Sequence, residues 1–542
     1  MPTDNTIQAN PLTLPQTRLL QYRITLELTS PLAIGSGASN DLFDTPCARD
    51  ANGLPVIPGT SLAGALRSLW VIQFGEACAQ QWFGMITPNS DEGRRSRLLL
   101  TWAHVHGADN KPVDGVVPAA TIQDDPVLRQ LVRLPHRDHV RLSHRGGAAD
   151  TAKYDRSFVP AGCRFTFDMR LFSDSNRIKQ DTKAIGKLLQ ACWCNQLWLG
   201  GAKAAGYGRN KVVAIKEVIL DLTNNGARTA LRRARELKAP LPEASESNGV
   251  QRRSIKPVGE HLETRRVALP PVTLRPRDTW RIGSGAESIA RLQNPARDKK
   301  LADALPYTET RLTWRAQQGQ NANHKLWVTE IVVPGSAIRG ALAHRTAFHF
   351  NRLQLRWVRS CATTTPPAVE LPPLPPAPLD VIEVLFGSAK TRVPVGGDVN
   401  ALPAGQAGAV FVEDTRIATN SLKVVQLPHV RIDRFTGGAF GGALFAEELL
   451  FQGDLSLQIS IDKARFENLA QTHGVDTAAT ALMALDEALR DLCEQRLPVG
   501  AGGAHGHGYC TGTWPAQMMP ELKSLERALL ASNTEVTEEA TV

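Results

Sequence analysis

At 542 residues the chain is longer than one hydrophobic core usually serves, so two domains are expected. Apolar residues make up 42% and charged residues 21%, which excludes global disorder, while 62 Lys plus Arg against 53 Asp plus Glu leave a net charge of +9 that favours a polyanionic partner. No apolar run reaches the length of a membrane span and the first residues lack the regions of a signal peptide, so no membrane partner and a cytoplasmic setting are expected, with the eight cysteines reduced.

In chain order, a polar tail precedes an apolar–polar alternation over Tyr22 to Leu28, the pattern of a half-buried strand. A glycine turn follows at Ile34-Gly35-Ser36-Gly37-Ala38, and the loop from Ala38 to Asp50 carries Asp41, Asp44 and Asp50. Ile57-Pro58-Gly59-Thr60-Ser61 then opens a helix expected from Ser61 to Trp70, with a good capping residue at its start. Leu98-Leu99-Leu100-Thr101 is strand-like, and His136 to Leu142 leads into Gly146-Gly147, the outline of an exposed hairpin or flap. Ile185, Leu188, Leu189 and Cys192 share one helical face, and a second glycine loop runs from Leu199 to Gly208.

The whole series then recurs. Ile282-Gly283-Ser284-Gly285-Ala286, Val333-Pro334-Gly335-Ser336, Val410-Phe411-Val412-Glu413, His429-Val430-Arg431-Ile432 before Gly437-Gly438, the face Leu482, Leu485, Leu489, Leu492, and the loop Val499 to Gly508 appear in the same order. The copies are 248 positions apart at Gly35/Gly283, 276 at Gly59/Gly335, 290 at His139/His429 and 300 at Gly200/Gly500. The second copy therefore reads as the first with loop insertions, the largest of 28 residues between the first two patterns. The expected organisation is a tail at 1–18, a first domain at 19–222, a linker or insertion at 223–264, a second domain at 265–519 with a proline-rich insertion at 363–378, and a tail at 520–542. Interleaved strands and helices of this kind predict an α+β fold of two tandem ferredoxin-like domains.

The glycine loops let backbone amides approach a phosphate: Gly200, Gly201 and Gly206 with Lys203 and Arg209 in the first copy, Gly500 and Gly506 in the second. Neither ends in the Gly-Lys-Ser/Thr of an ATP-binding loop, which argues against nucleotide hydrolysis. The turns at Gly35 and Ser36 and the helix starts offer further anion contacts, Ser61 with Arg67 and Ser336 with Arg339 and Arg345. Arg141, Arg145, Arg431 and Arg434 flank the flaps and suit contacts to a single RNA strand. A carboxylate between the first two glycine-marked turns could position a hydrated Mg²⁺ or act on a ribose 2′-hydroxyl. His505, His507 and Cys510 lack the fourth donor of a usual metal site.

The pieces Ile34 to Gly37, Phe43-Asp44-Thr45-Pro46-Cys47-Ala48-Arg49-Asp50, Ile57 to Gly64, His139-Val140-Arg141, Phe158-Val159-Pro160-Ala161-Gly162 and the glycine loop together resemble the repeated backbone subunit of type III effector complexes, in the RAMP superfamily of CRISPR-associated proteins. The resemblance implies a modified RNA-recognition-motif core with a thumb-like hairpin that interrupts a guide–target duplex. It also implies an RNA-cutting aspartate in the first loop, here Asp44, working with a divalent metal, Mg²⁺. Guide RNA, target RNA and other backbone, cap and small subunits are the implied partners, and a fused pair is similar to the variant type III-D arrangement. In the second copy a straight alignment puts Gln293 or Asn294 where the acid belongs, and the insertion leaves Asp303, before Leu305-Pro306, as the other candidate. Two alternatives stay open: a scaffold without chemistry, and a guide-processing endonuclease using His139 or His144 as general acid/base.

Overall fold

Leu20, Tyr22, Ile24, Leu26 and Leu28 alternate along the strand Arg18–Leu28 and enter one core, which fixes that strand at the centre of the first sheet. It lies antiparallel between Asn210–Asp221 and Arg164–Ser173, and the short strands Leu98–Leu100 and Ala103–Val105 pair with Arg164–Ser173 on its far side. Helix Gly59–Phe74 links the first and second strand positions and helix Ile178–Trp193 the third and fourth. This is the βαββαβ ferredoxin-like unit, its central strands in the order fourth, first, third, second.

The second half repeats it with broken strands. Val272–Pro276 lies between Cys510–Thr511 and Leu455–Leu457, while Ile459–Asp462 continues the third position to pair with Arg266–Ala268 and Val410–Val412. Helices Gly335–Leu353 and Val475–Cys493 occupy the two crossovers. The expected helical faces are buried in both copies, Ile185, Leu188, Leu189 and Cys192 in one core and Leu482, Leu485, Leu489 and Leu492 in the other. The computed structural model describes residues 16–37, 43–86, 93–142, 148–258, 262–283, 285–295, 302–314, 326–355, 381–387 and 407–528; Asp41, His144, Arg145, the proline-rich 363–378 and most of both tails lie outside them.

Three readings of the sequence change. The first crossover helix starts at Gly59 behind Pro58 with no side-chain cap, so Thr60 and Ser61 belong to its first turn. Its glycine answers to contact: a Cβ on Gly59 would lie 2.9 Å from the Leu100 carbonyl oxygen, and one on Gly335 would lie 2.2 Å from that of Val412. These contacts set Leu100 against Val412, 312 positions apart, so the spacing between copies falls again before His139/His429. The first domain has an addition of its own there, including helices Ala119–Asp124 and Leu128–Leu131. Lastly, the described residues 223–258 of the expected linker or insertion build onto the first sheet. Asn224 caps helix Asn225–Arg233, and Val250–Ser254 extends the ladder beside Asn210–Asp221.

That addition explains the polar side of the first strand. Arg23, 8% exposed, pairs with the buried Asp168 at 2.9 Å and donates to the carbonyls of Leu237 and Glu236. Residues 234–239 thus cover part of the sheet face that an RNA-recognition motif would leave open, and its charges are satisfied internally.

Candidate nucleic-acid interface

A long antiparallel hairpin rises from each domain between its second and third strand positions. The first is His136–Leu142 with Ala148–Ser157, the second Lys423–Ile432 with Ala439–Phe451. Their registers match: His139 lies opposite Tyr154, and His429 opposite Phe445. The rings stack alike, with centroids 5.0 Å apart and planes at 17° in the first hairpin, 4.9 Å and 18° in the second. Tyr154 is 41% exposed and Phe445 43%, joined on the second hairpin by exposed Val430, Ile432, Phe440 and Leu444. Exposed rings and aliphatics on a protruding ribbon are stacking platforms for unpaired bases. Arg431 lies over Phe440 at 5.5 Å, and Arg434 is exposed near the tip; Arg141 is in the first hairpin strand.

Asp44 lies at the foot of the first hairpin. Its amide donates to the Asp155 carboxylate at 2.7 Å, and the Asp155 amide donates back to the Asp44 carboxylate at 3.1 Å. Thr45 then bridges Arg156 in parallel. In the second domain Asp303 does the same: the Ala446 amide donates to its carboxylate at 2.8 Å, the Asp303 amide donates to the Ala446 carbonyl, and Ala304 bridges Glu447 in parallel. Asp303 is therefore the spatial counterpart of Asp44. Gln293, one of the two positions from straight alignment, instead donates to the carbonyls of Thr419 and Leu422.

The copies differ in one respect: the carboxylate of Asp155 faces Asp44, and Ala446 takes its place beside Asp303. Two adjoining carboxylates suit a hard divalent cation completed by phosphate oxygens and water. Among the described residues no group of three or more His, Cys, Asp or Glu side chains could hold a metal by itself.

The glycine loops sit as backbone scaffolds below. Gly200 has φ +73° and Gly500 φ +93°, and the next amide in each donates back at 2.8 Å, Gly201 to Ala33 and Ala501 to Arg281. Gly35 bridges Cys47, and the Ser36 amide donates to Pro46. Gly200→Ala would put a Cβ 2.3 Å from the Ala33 carbonyl oxygen at a left-handed φ. We expect it to cost about 1–3 kcal/mol in denaturant unfolding; a change of a few tenths would show that the loop yields freely.

Several of the expected RNA contacts have partners within the protein. Arg345 pairs with Asp491, and Arg339 donates to the carbonyls of Val410 and Phe386. Arg67 pairs with the exposed Glu76, Arg209 pairs with Glu413 of the second domain, and Gly206 packs on Asp414. Lys203 is pulled down to about 8 by burial and by Arg266, Arg465 and Arg265 around it. Ser61 stays exposed, Gly506 has open space around it, and Ser336 lines a cleft of about 510 Å³ that His136, Asp138 and His139 close from the first hairpin.

Sequence reasoning missed Tyr154, Asp155 and Phe445, which lie on the return strands and outside every repeated pattern. It read Arg137 only as one of the basic residues of the exposed flap, whereas its guanidinium is 3% exposed between Glu309 and Asp414. Burial alone would lower its pKa, but the two carboxylates overcome that and hold it well above the usual arginine range.

No curated protein matches the chain. The sequence pattern of the RAMP superfamily does, over residues 25–211 and again over 316–511, more than two thirds of the chain and one match for each ferredoxin-like unit. No helix among the described residues is long and apolar enough to cross a membrane. The chain thus belongs to the RAMP superfamily, as a CRISPR-associated RNA-binding subunit that carries the family's domain twice.

Proposed function

We propose that this chain is a double backbone subunit of a type III effector complex: it binds guide RNA, holds the guide–target duplex and cuts target RNA beside each hairpin. The observation that carries the reading is that the carboxylates of Asp44 and Asp303 accept the equivalent amides, of Asp155 and Ala446, at the feet of matching hairpins. Stacked rings on each hairpin would wedge between bases and splay the strand locally, bringing a ribose 2′-hydroxyl toward the carboxylate below. Asp44 would then accept that proton as the oxygen attacks the neighbouring phosphorus, closing a 2′,3′-cyclic phosphate, while the P–O5′ bond breaks and the 5′-oxygen takes its proton from water. Asp44 with Asp155, and Asp303 alone, would hold a divalent cation such as Mg²⁺, which when bound offsets the charge that develops on the phosphate. Guide RNA, target RNA and further backbone, cap and small subunits are the partners.

A histidine-based endonuclease fits less well. Burial, with Arg156 and Arg137 nearby, pulls His139 down to about 4, so it is neutral from pH 5 upward and has no proton to give a leaving group. We expect His139→Phe, which keeps a ring on Tyr154 but removes the imidazole, to leave cutting by the assembled complex intact and EDTA to abolish it; cutting that survives EDTA and fails in His139→Phe would reverse the assignment. RNA sequencing of what copurifies with the chain tests the wider reading. Repeat-flanked guides support it, and RNA-free protein with no affinity for RNA refutes it.

A further inference from the structure

A cavity of about 730 Å³ lies between the crossover helices of the first domain and shares no residue with the hairpins or the glycine loops. Helix Gly59–Phe74 and the next helix, Glu76–Phe83, form one wall, and helix Ile178–Trp193 forms the other. Residues of the added segment from Arg253 to Val258 pass along its edge. Gln190 holds that segment in place: its side-chain amide donates to the Lys256 carbonyl at 2.9 Å, and its side-chain oxygen accepts the Val258 amide at 2.9 Å.

One wall is aromatic and the rim is cationic. Trp70 is fully buried, and Phe74 and Trp82 pack on it with centroids 4.6 and 4.4 Å away. Phe74 stays half-buried, with the Lys187 ammonium 5.1 Å from its centroid. Arg253 pairs with the buried Glu217, whereas Lys183, Lys187 and Lys256 meet no carboxylate among the described residues. Gly186 lines the cavity from the middle of its helix, where alanine would be more stable, yet a Cβ there would meet nothing within 4 Å. Packing does not demand that glycine; it leaves room.

The second domain shows that the fold does not require such a space. Gln196 donates to Ala191 as Arg496 donates to Asp491, and Cys194 to Gln190 as Glu494 to Arg490, so helices Ile178–Trp193 and Val475–Cys493 align with an offset of 300. Met483, Asp486, Glu487 and Arg490 therefore stand for Lys183, Gly186, Lys187 and Gln190. Asp486 accepts the Trp514 indole at 3.2 Å and the Met519 amide at 3.1 Å, and Arg490 donates to the Pro515 carbonyl as Gln190 does to that of Lys256. Met519, Leu522 and Leu525 of this C-terminal segment are buried in the core. The second copy thus covers its helix with its own chain, while the first leaves a cavity and puts two lysines where Met483 and Glu487 stand.

We infer that this cavity binds a nucleotide, with the base against the aromatic wall and the phosphate among Lys183, Lys187 and Lys256. Rings beside uncommitted cations select an anion that is itself flat and aromatic: a π-face accepts any base, and ammonium groups give charge-assisted hydrogen bonds to phosphate. The volume falls within the roughly 300–1,000 Å³ of small-molecule sites. A free nucleotide and the 5′-phosphorylated end of an RNA strand share this chemistry. The inference goes beyond the guide-RNA reading and does not rest on it.

The test is calorimetric titration of RNA-free full-length chain with each of the common ribonucleoside 5′-monophosphates. At least one should bind at a saturable site, and its nucleoside and inorganic phosphate should each bind at least about tenfold more weakly, since each offers half of the contacts. Lys187→Gln should weaken the nucleotide by about tenfold. Gly186→Leu, whose side chain enters the open space, should abolish binding while circular dichroism and the unfolding midpoint hold at or above wild type. A 5′-phosphorylated trinucleotide that competes better than the monophosphate assigns the site to a strand end, and one that competes worse assigns it to the free nucleotide. No saturable binding of any monophosphate, or binding that neither folded variant weakens, would overturn the inference.

Discussion

Arg137→Ala is expected to destabilise the folded protein by about 3–5 kcal/mol, because it leaves two buried carboxylates facing each other without their cation. Glu309 and Asp414 are as buried as the arginine; Glu309 keeps Arg416 at 2.6 Å and the Tyr307 hydroxyl at 2.9 Å, while Asp414 keeps the Gly335 amide at 2.8 Å. The pH dependence gives the loss a signature. Burial would raise the Glu309 carboxyl, but Arg137 and Arg416 hold it at about 2 in the folded protein. A carboxylate depressed in this way stabilises above its unfolded value of about 4.3, and that contribution fades as pH falls toward 2. In Arg137→Ala the burial effect gains ground, the folded Glu309 carboxyl titrates at higher pH, and acid relieves part of the penalty. The gap in unfolding free energy between wild type and variant should therefore be widest near pH 7 and narrow below about pH 4. Unfolding in urea at a series of pH values measures it. A gap under about 1 kcal/mol at neutral pH would place these pairs in the class of solvated surface bridges.

Asp44→Ala should lower cutting at one target position by about 10²–10⁴-fold while the other cut persists, and Asp303→Ala should do the converse. Neither change should weaken RNA binding, since both carboxylates repel phosphate. Because Asp155 adjoins Asp44 and Ala446 adjoins Asp303, the second cut should need the higher Mg²⁺ concentration. Asp155→Ala should bring the first cut to the same requirement. Product mapping across a Mg²⁺ titration separates these cases, and equal requirements at both cuts would remove Asp155 from the site.

The duplication, the fold class and both buried helical faces were legible because they are written in local pattern: glycine at tight approaches, leucines at helical spacing. Among Asp41, Asp44 and Asp50 the local pattern made no choice, and Asp44 was singled out through the resemblance alone. What composition and spacing do not carry is the destination of a charged side chain. Arg339, Arg345 and Arg209 look like phosphate ligands in sequence, yet they answer carbonyls and carboxylates up to 204 positions away, as Arg209 does at Glu413. Asp303 could be singled out only as one option in a longer loop, because an inserted segment destroys linear alignment while the bridge between Ala304 and Glu447 preserves the spatial one. Tyr154 and Phe445 acquire their meaning across the hairpin, through register that the sequence of one strand does not contain.

The proposal stands or falls on whether two aspartates, each at the foot of a hairpin, cut one strand at two places. The direct measurement is end-mapping of a labelled target RNA cut by the reconstituted complex carrying wild-type chain, Asp44→Ala, Asp303→Ala or both substitutions. Two cuts a fixed interval apart, each lost with its own aspartate and both lost in the double variant while RNA stays bound, is the predicted outcome. A double variant that still cuts at both positions would contradict it.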